Sequence, residues 1–168
     1  REMILDFVKK GWLKAFESLE DCREFLGADP VLNPFAIIEK AKWNSHTGKP
    51  EVKYRMIMDA KKSMVKEASN KEFRSLLPRM SDAITSILEL LDGLSPEESV
   101  ALMVLDASDA FWQTPLHHEE RRYYCGRVTT ETGRHIYLVY LQTPQGSRGA
   151  PLSWASVFAL VNRCSLSV

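Results

Sequence analysis

The stretch VLDASDAFWQTPL, residues 104–116, has an order of residues that needs an explanation. We call this stretch the acid–aromatic segment. It begins as an apolar run, places Asp106 and Asp109 where burial should be deepest, and continues with Phe111 and Trp112. An ionised carboxylate is costly to bury unless it is paired or bound to a metal ion. Two interpretations of Asp106 are open at this point: a cap for the next turn, or a metal ligand at the tip of a rigid strand. Asp109 is expected to cap the turn through its own side chain.

The hydrophobic pattern around this segment predicts an α+β fold with an antiparallel sheet and packed helices. Residues 100–106 form a short continuous apolar run, which predicts a central buried strand. Elsewhere, period-two alternation predicts hairpins, and spacings of three and four predict helices. The predicted elements are one or two helices in residues 2–26, a hairpin in 35–60, a helix from a Ser81 cap to Gly93, the strand, a hairpin in 121–142 and a helix in 152–163.

The composition favours an intracellular globular protein. A chain of 168 residues with 45% hydrophobic residues can form one domain, or a domain with a smaller subdomain. No apolar window has the length of a membrane span, and no signal peptide opens the chain. Three cysteines without metal-site spacing predict reduced thiols, in the cytoplasm or nucleus. Because the first residue is Arg1, we expect a piece of a longer protein.

The net charge of zero conceals a strong segregation of charges along the chain. Residues 40–79 hold 11 Lys/Arg against 4 Asp/Glu, whereas residues 80–120 hold 9 Asp/Glu and no Lys or Arg. A basic region beside an acidic centre is typical of a site that binds a polyanion and uses a metal ion. Solvated helix faces would produce the same pattern, so the charges alone leave both interpretations open.

Residues 143–151, TPQGSRGAP, form a turn-rich segment that precedes a helix, and we call it the glycine loop. Gly146 and Gly149 allow the backbone to approach a ligand closely. Gln145 offers a donor and an acceptor, and Arg148 adds a cation that suits phosphate. By itself this pattern is weak evidence for any function.

Residues 53–59, KYRMIMD, alternate in the manner of a strand. Met56 and Met58 are predicted to share one face, and Lys53 and Arg55 the opposite face. The two cations could bind phosphates, or they could be solvated charges on the surface of the hairpin. The pattern of this strand alone does not decide between these roles.

The joint order of these motifs resembles the reverse transcriptases of retroviruses and LTR-type retrotransposons. The similarity covers residues 35–158 and rests on KYRMIMD, LPRMSD, VLDASDAFWQTPLHHEERRYYCG and YLVYLQTPQGSRGAP. It implies the fingers and an incomplete palm of a right-hand polymerase. The implied regions are an N-terminal helical segment (1–34), a fingers-like region (35–98) and a partial palm (99–168). The strand that ends at Asp106 would then pair with the second hairpin, around Glu131–Gly133, or with its neighbours, beside the helix at Ser81–Leu91.

The implied activity is RNA-directed DNA polymerisation, in which dNTPs are added to a primer 3′-end by phosphoryl transfer with two Mg²⁺ ions, or with Mn²⁺ in their place. Asp106 matches the catalytic, metal-binding aspartate, and the backbone of Ala107 matches a further metal ligand. The backbones of Asp109 and Ala110 would lie beside the triphosphate. Phe111 would lie under the sugar and disfavour a 2′-hydroxyl.

The resemblance also implies contacts from the other motifs. Arg55 matches the fingers arginine over the triphosphate. The family's second fingers cation, a lysine, has no clean counterpart here, because Lys49 and Lys53 both lie in a loop whose length differs; Lys49 is the candidate. Gln145 would lie near the incoming nucleotide, and Gly146 and Arg148 along the template and primer. The implied partners are an RNA or DNA template with its primer, dNTPs, and the downstream palm, thumb and RNase H regions of the same polyprotein, with no membrane.

One departure from the family pattern limits the expected activity. The family's other catalytic carboxylates lie in a Tyr-x-Asp-Asp type turn, and no Asp or Glu follows Glu131 in this chain. We therefore expect that turn beyond Val168, and a fragment that is inactive alone. The alternatives are a non-catalytic nucleic-acid-binding remnant of a degraded or domesticated element, and a protein-interaction module on the same scaffold.

Overall fold

The computed structural model describes residues 2–44, 47–69, 78–102 and 104–166, and these residues form an α+β fold, as predicted. The helices are α1 (Glu2–Lys9), α2 (Leu19–Leu26), α3 (Val65–Ala68), α4 (Met80–Asp92) and α5 (Ala150–Leu166). The strands are β1 (Leu13–Phe16), β2 (Leu32–Asn33), β3 (Phe35–Asn44), β4 (Lys49–Met58), β5 (Cys125–Thr129) and β6 (His135–Tyr140). Short 3₁₀ turns cover Ala110–Gln113 and Arg121–Tyr123. No helix in these residues is long and apolar enough to cross a bilayer.

A four-stranded sheet with the order β1-β6-β5-β2 lies at the centre of the structure. Both contacts of β6 are antiparallel, whereas β2 runs parallel to β5, so the sheet is mixed and not purely antiparallel. The predicted helical region 2–26 contains two helices with β1 between them. Gly11 adopts φ 72° after α1, and the chain turns there so that Leu13 can pair with Tyr140.

The predicted central strand over residues 100–106 is wrong. Its described residues contain no strand, and the Val104 side chain is 91% exposed; Met103 lies outside the described residues. The predicted pairing with the second hairpin is wrong as well, because β1 and β2 already occupy the two outer edges of that hairpin. An apolar run becomes a strand only where a neighbour can satisfy its backbone groups, and no described strand pairs with the described residues of this run.

The main core connects three distant parts of the chain. Trp112 stacks on Trp12 and Tyr140, with ring centroids 4.9 and 5.4 Å apart. Met56 and Met58 of β4 lie in the same buried cluster. The N-terminal strand, the acid–aromatic segment and the two-stranded ribbon of β3 and β4, which we call the basic hairpin, therefore share one core.

Helix α4 confirms the predicted helix but not its predicted cap. The helix begins after Arg79, whose backbone N–H donates to the Asp82 carboxylate at 2.7 Å, so the side chain of Ser81 is not the cap. A carboxylate in the first turn is favoured there because it also complements the helix dipole. The helix ends at Gly93, as predicted, and no residue of α4 is buried.

Candidate functional site

Backbone hydrogen bonds join the acid–aromatic segment to the start of the glycine loop. The N–H of Leu116 donates to the carbonyl of Leu141 at 3.0 Å, and the N–H of Thr143 donates to the carbonyl of Thr114 at 2.8 Å. The Thr143 hydroxyl donates to the same carbonyl at 2.9 Å. Two segments that the sequence analysis singled out separately are therefore held side by side.

The turn inside the acid–aromatic segment is closed by the backbone of Asp109. Its carbonyl accepts the N–H of Trp112 at 2.8 Å, and its side chain makes no capping hydrogen bond, so the predicted side-chain cap is wrong. Asp109 adopts φ 54°, a left-handed conformation in which this carbonyl meets the N–H three residues on. Such a conformation is uncommon outside glycine but is tolerated by Asp.

The carboxylate of Asp109 is exposed and lies close enough to Lys10, the residue after α1, to influence its pKa. The pKa of Lys10 is raised, first by its hydrogen bond to Asp6 and further by the negative charges of Asp6 and Asp109. Lys10 and Asp6 form an exposed ion pair at 2.9 Å. Such a pair contributes little to stability because water screens it.

The two aromatic side chains after Asp109 have different environments. Trp112 is 5% exposed and belongs to the core, whereas Phe111 is half-buried. Helix α5 approaches the 3₁₀ turn that carries both residues. Phe111 is therefore the member of the pair that can contact a bound ligand.

Asp106 and Ala107 precede this turn in an exposed, irregular segment. The side chain of Asp106 is exposed, and it makes no ion pair or hydrogen bond with any described residue. A carboxylate and an adjacent backbone carbonyl are ligands that suit Mg²⁺. In the described parts of the chain, however, no three His, Cys, Asp or Glu residues are grouped so that they could hold a metal ion. The donors present therefore fit only part of a magnesium site.

The glycine loop is tied to α3. Gly146 has φ 95°, a conformation that favours glycine, and the N–H of Ser147 donates to the carbonyl of Pro144 at 3.2 Å. The guanidinium of Arg148 donates to the carbonyl of Lys66 at 3.2 Å. Gln145 is half-buried. Arg148 therefore links the loop to the region after the basic hairpin, and it keeps further N–H groups for a ligand.

The basic hairpin confirms the predicted alternation of β4. Met56 and Met58 are 5% and 4% exposed, while Arg55 is exposed and its backbone pairs with Ile38 of β3. Lys49, six residues before Arg55, is also exposed, and this even spacing places both on the same face of the strand. The side chain of Lys53 lies outside the described part of the structure.

A cleft of about 680 Å³ between α3, Thr114 and the glycine loop was not foreseen. The side chains of Tyr124, Ser69 and Ser147 line it together, and burial is the main cause of the raised pKa of Tyr124. The buried hydroxyl oxygen of Thr114 has no hydrogen-bond partner among the described residues. The cleft forms only when distant segments meet, so no local sequence signal could have indicated it.

The predicted site residues therefore fall into two groups. The acid–aromatic segment and the glycine loop are joined directly, whereas no hydrogen bond or ion pair of the described residues links Asp106 to Arg55 or Gln145.

Comparison with protein-family models found no match to this chain, and neither did comparison with curated proteins.

Proposed function

We propose that, in its natural full-length context, this chain is the fingers and partial palm of an RNA-directed DNA polymerase of the retroviral or LTR-retrotransposon type. The observation that carries the proposal is the hydrogen-bonded junction between residues 114–116 and 141–143. The two segments that resemble nucleotide-contacting motifs of such enzymes meet there. If the two motifs occurred in this sequence by chance, nothing would require them to contact each other in the fold.

The proposed reaction is attack of a primer 3′-hydroxyl on the α-phosphate of a dNTP, with release of pyrophosphate. Bound Mg²⁺ would neutralise the charge that develops on the phosphate oxygens. Asp106 and the carbonyl of Ala107 would hold part of the ion's coordination shell. Arg55 and Lys49, both exposed on the basic hairpin, would neutralise the triphosphate.

The remaining residues would position the substrates. The backbones of Asp109 and Ala110 would lie beside the triphosphate. Phe111 is half-buried within the 3₁₀ turn and would pack against the sugar, leaving no room for a 2′-hydroxyl. Gln145 would contact the incoming nucleotide.

Gly146 and Arg148 would follow the template and primer. Gly146 is exposed, and its positive φ value leaves the backbone open to a strand of nucleic acid. The cleft beside the glycine loop adjoins this path and offers the hydroxyl groups of Ser69, Thr114 and Tyr124 as hydrogen-bond partners.

The decisive experiment is primer extension by the natural full-length protein and its Asp106→Asn variant. Because a metal ligand is lost, we expect the rate to fall by at least about 100-fold. Asp92→Asn, at the exposed C-terminal end of α4, is the matched control and should extend at the parental rate. Undiminished extension by Asp106→Asn would refute the assignment.

A non-catalytic nucleic-acid-binding remnant is the second candidate. Two observations favour it. The described residues contain no group of three side chains that could hold a metal ion, and the cations Lys49 and Arg55 of the basic hairpin are exposed. If the full-length protein binds a primer–template but extends it no faster than Asp106→Asn does, the remnant is the correct assignment.

A further inference from the structure

Two cysteines that are distant in sequence lie side by side in a second buried cluster. Cys22 belongs to α2 and Cys125 is the first residue of β5, and both are fully buried. Both thiols belong to the same small buried cluster, and each is close enough to affect the pKa of the other. They share the cluster with Val139, and the side chains that cover it are Phe16, Phe25, Leu26 and Tyr137.

Local structure fixes both thiols. Cys22 lies in the first half of α2, where Ser18 caps the helix by accepting the N–H of Asp21 at 3.0 Å. Cys125 is paired in register with Val139 of β6, and its thiol donates to the carbonyl of Arg121 at 3.1 Å. Neither sulfur takes part in the proposed polymerase site, so the contact needs a separate explanation.

We propose that Cys22 and Cys125 are a thiol pair that oxidises to an intramolecular disulfide and thereby cross-links α2 to β5. The cysteine spacing predicts reduced thiols, and all three cysteines are free in the structure. A disulfide requires two sulfurs that can approach to about 2.05 Å on backbones that need little adjustment. Two thiols that already share one small buried cluster, on a capped helix and a paired strand, are placed to meet this requirement.

Oxidised glutathione is a sufficient oxidant for the reaction. One cysteine thiolate attacks a glutathione sulfur, which forms a mixed disulfide and releases one glutathione thiolate. The second cysteine thiolate then attacks the protein sulfur of that mixed disulfide and expels the other glutathione. The two protons lost by the cysteines are taken up by the two glutathione thiolates, so two thiols are oxidised and one glutathione disulfide is reduced.

The cross-link would stabilise the sheet in its folded arrangement. It closes a loop that contains β2, the basic hairpin, α4 and the acid–aromatic segment. A long closed loop restricts the unfolded chain strongly, so we expect the melting temperature to rise by on the order of 10 °C. Since both thiols are buried, the reaction needs a transient opening, and refolding in redox buffer provides it.

The test uses the C164S variant of the 168-residue chain, which removes the exposed third thiol. The variant is refolded with oxidised and reduced glutathione, digested without reductant and analysed by mass spectrometry. We expect a linked pair of peptides containing Cys22 and Cys125, together with a higher melting temperature that dithiothreitol reverses. Two free thiols, or two separate glutathione adducts without the linked pair, would overturn the proposal.

Single variants add a control that does not depend on the linked peptide. In the C164S background, Cys22→Ala and Cys125→Ala should each show no rise in melting temperature on oxidation. A rise that persists in either variant would show that the stabilisation does not come from this disulfide. If either variant fails to fold, the peptide map of C164S alone decides the question.

Discussion

At the scale of single residues, Gly126 is the position where one added carbon is least tolerable. A Cβ atom there would lie 2.1 and 2.5 Å from two ring carbons of Phe35 and 2.8 Å from the carbonyl oxygen of Asn33. Asn33 is itself buried, and its amide donates to the carbonyls of Tyr123 and Cys125, both at 2.9 Å. Phe35, at the start of the basic hairpin, therefore packs against Gly126 of the central sheet so closely that there is no space for an additional atom.

We expect Gly126→Ala to lower the free energy of unfolding by about 2–3 kcal/mol, because a ring or a strand must move to admit the methyl group. Urea unfolding followed by circular dichroism measures the change. Gly93→Ala is the matched control, since its Cβ would meet only the Leu90 carbonyl oxygen at 3.8 Å, an ordinary contact. Equal stability of Gly126→Ala and the parent would contradict the close approach.

At the scale of elements, the 3₁₀ turn Ala110–Gln113 separates a buried aromatic residue from a half-buried one. Trp112 lies between the rings of Trp12 and Tyr140, both nearly parallel to it, at interplanar angles of 11° and 12°. Phe111 is half-buried and makes none of these stacking contacts. Within this one turn, Trp112 therefore belongs to the core and Phe111 to the candidate site.

Trp112→Ala should therefore cost about 3–5 kcal/mol of stability, as expected for a buried aromatic, and Phe111→Ala roughly half as much or less. Chemical unfolding of the two variants measures the difference. In the natural full-length protein, Phe111→Ala should also raise ribonucleotide incorporation relative to deoxyribonucleotide incorporation. A large stability loss at Phe111 with unchanged sugar selectivity would assign that ring to the core.

At the scale of the whole molecule, two chain segments of opposite charge act in opposite directions on nucleic-acid binding. The cations of residues 40–79 can contact phosphates, whereas the nine acids of residues 80–120 repel the same backbone. The exposed apolar side chains near Val104 add a surface that invites association between copies. The chain by itself should be a weak binder.

We expect residues 1–168 to bind a primer–template weakly, with an affinity that falls as salt rises, and to incorporate no nucleotide. Fluorescence anisotropy at two salt concentrations measures the first, and primer extension the second. Replacing Lys49 and Arg55 by Ala should reduce the salt dependence of binding by about two counterions. Incorporation that depends on Asp106 would show that no further carboxylates are needed.

Burial also makes the stability of the molecule depend on alkaline pH. It raises the pKa of Tyr140 and is the largest cause of the raised pKa of Tyr124. Because the folded-state pKa exceeds the unfolded value near 10, this contribution is fully present below about pH 10 and is lost as the pH rises through the folded values. The free energy of unfolding should therefore fall between about pH 10 and about pH 12.

Urea unfolding across that range measures the effect, and Tyr124→Phe should show a shallower decline than the parent because one coupled ionisation is removed. Tyr54→Phe is the matched control, since Tyr54 is exposed and its replacement should leave the slope unchanged. A parental stability that stays constant or rises over this range would contradict the burial of both phenols.

The locally encoded elements could be predicted. The two hairpins follow from alternation over β3–β4 and β5–β6, and α4 and α5 follow from helical periodicity with Gly93 as a stop. Both signals arise within a few neighbouring residues, so no knowledge of the partner is needed. The candidate residues of the acid–aromatic segment and the glycine loop were visible for the same reason, although their proposed roles remain predictions.

Only the tertiary structure decided which apolar run became a strand and which side chains met. The segment before Asp106 has a stronger strand pattern than Leu13–Phe16, yet β1 occupies the edge of β6 and the segment stays exposed. The contact of Cys22 with Cys125 and the cleft at Tyr124 likewise depend on residues far apart in the chain. Local patterns specify what a segment can form, whereas strand edges and buried volume are limited, and the competition for them is settled only when the whole chain packs.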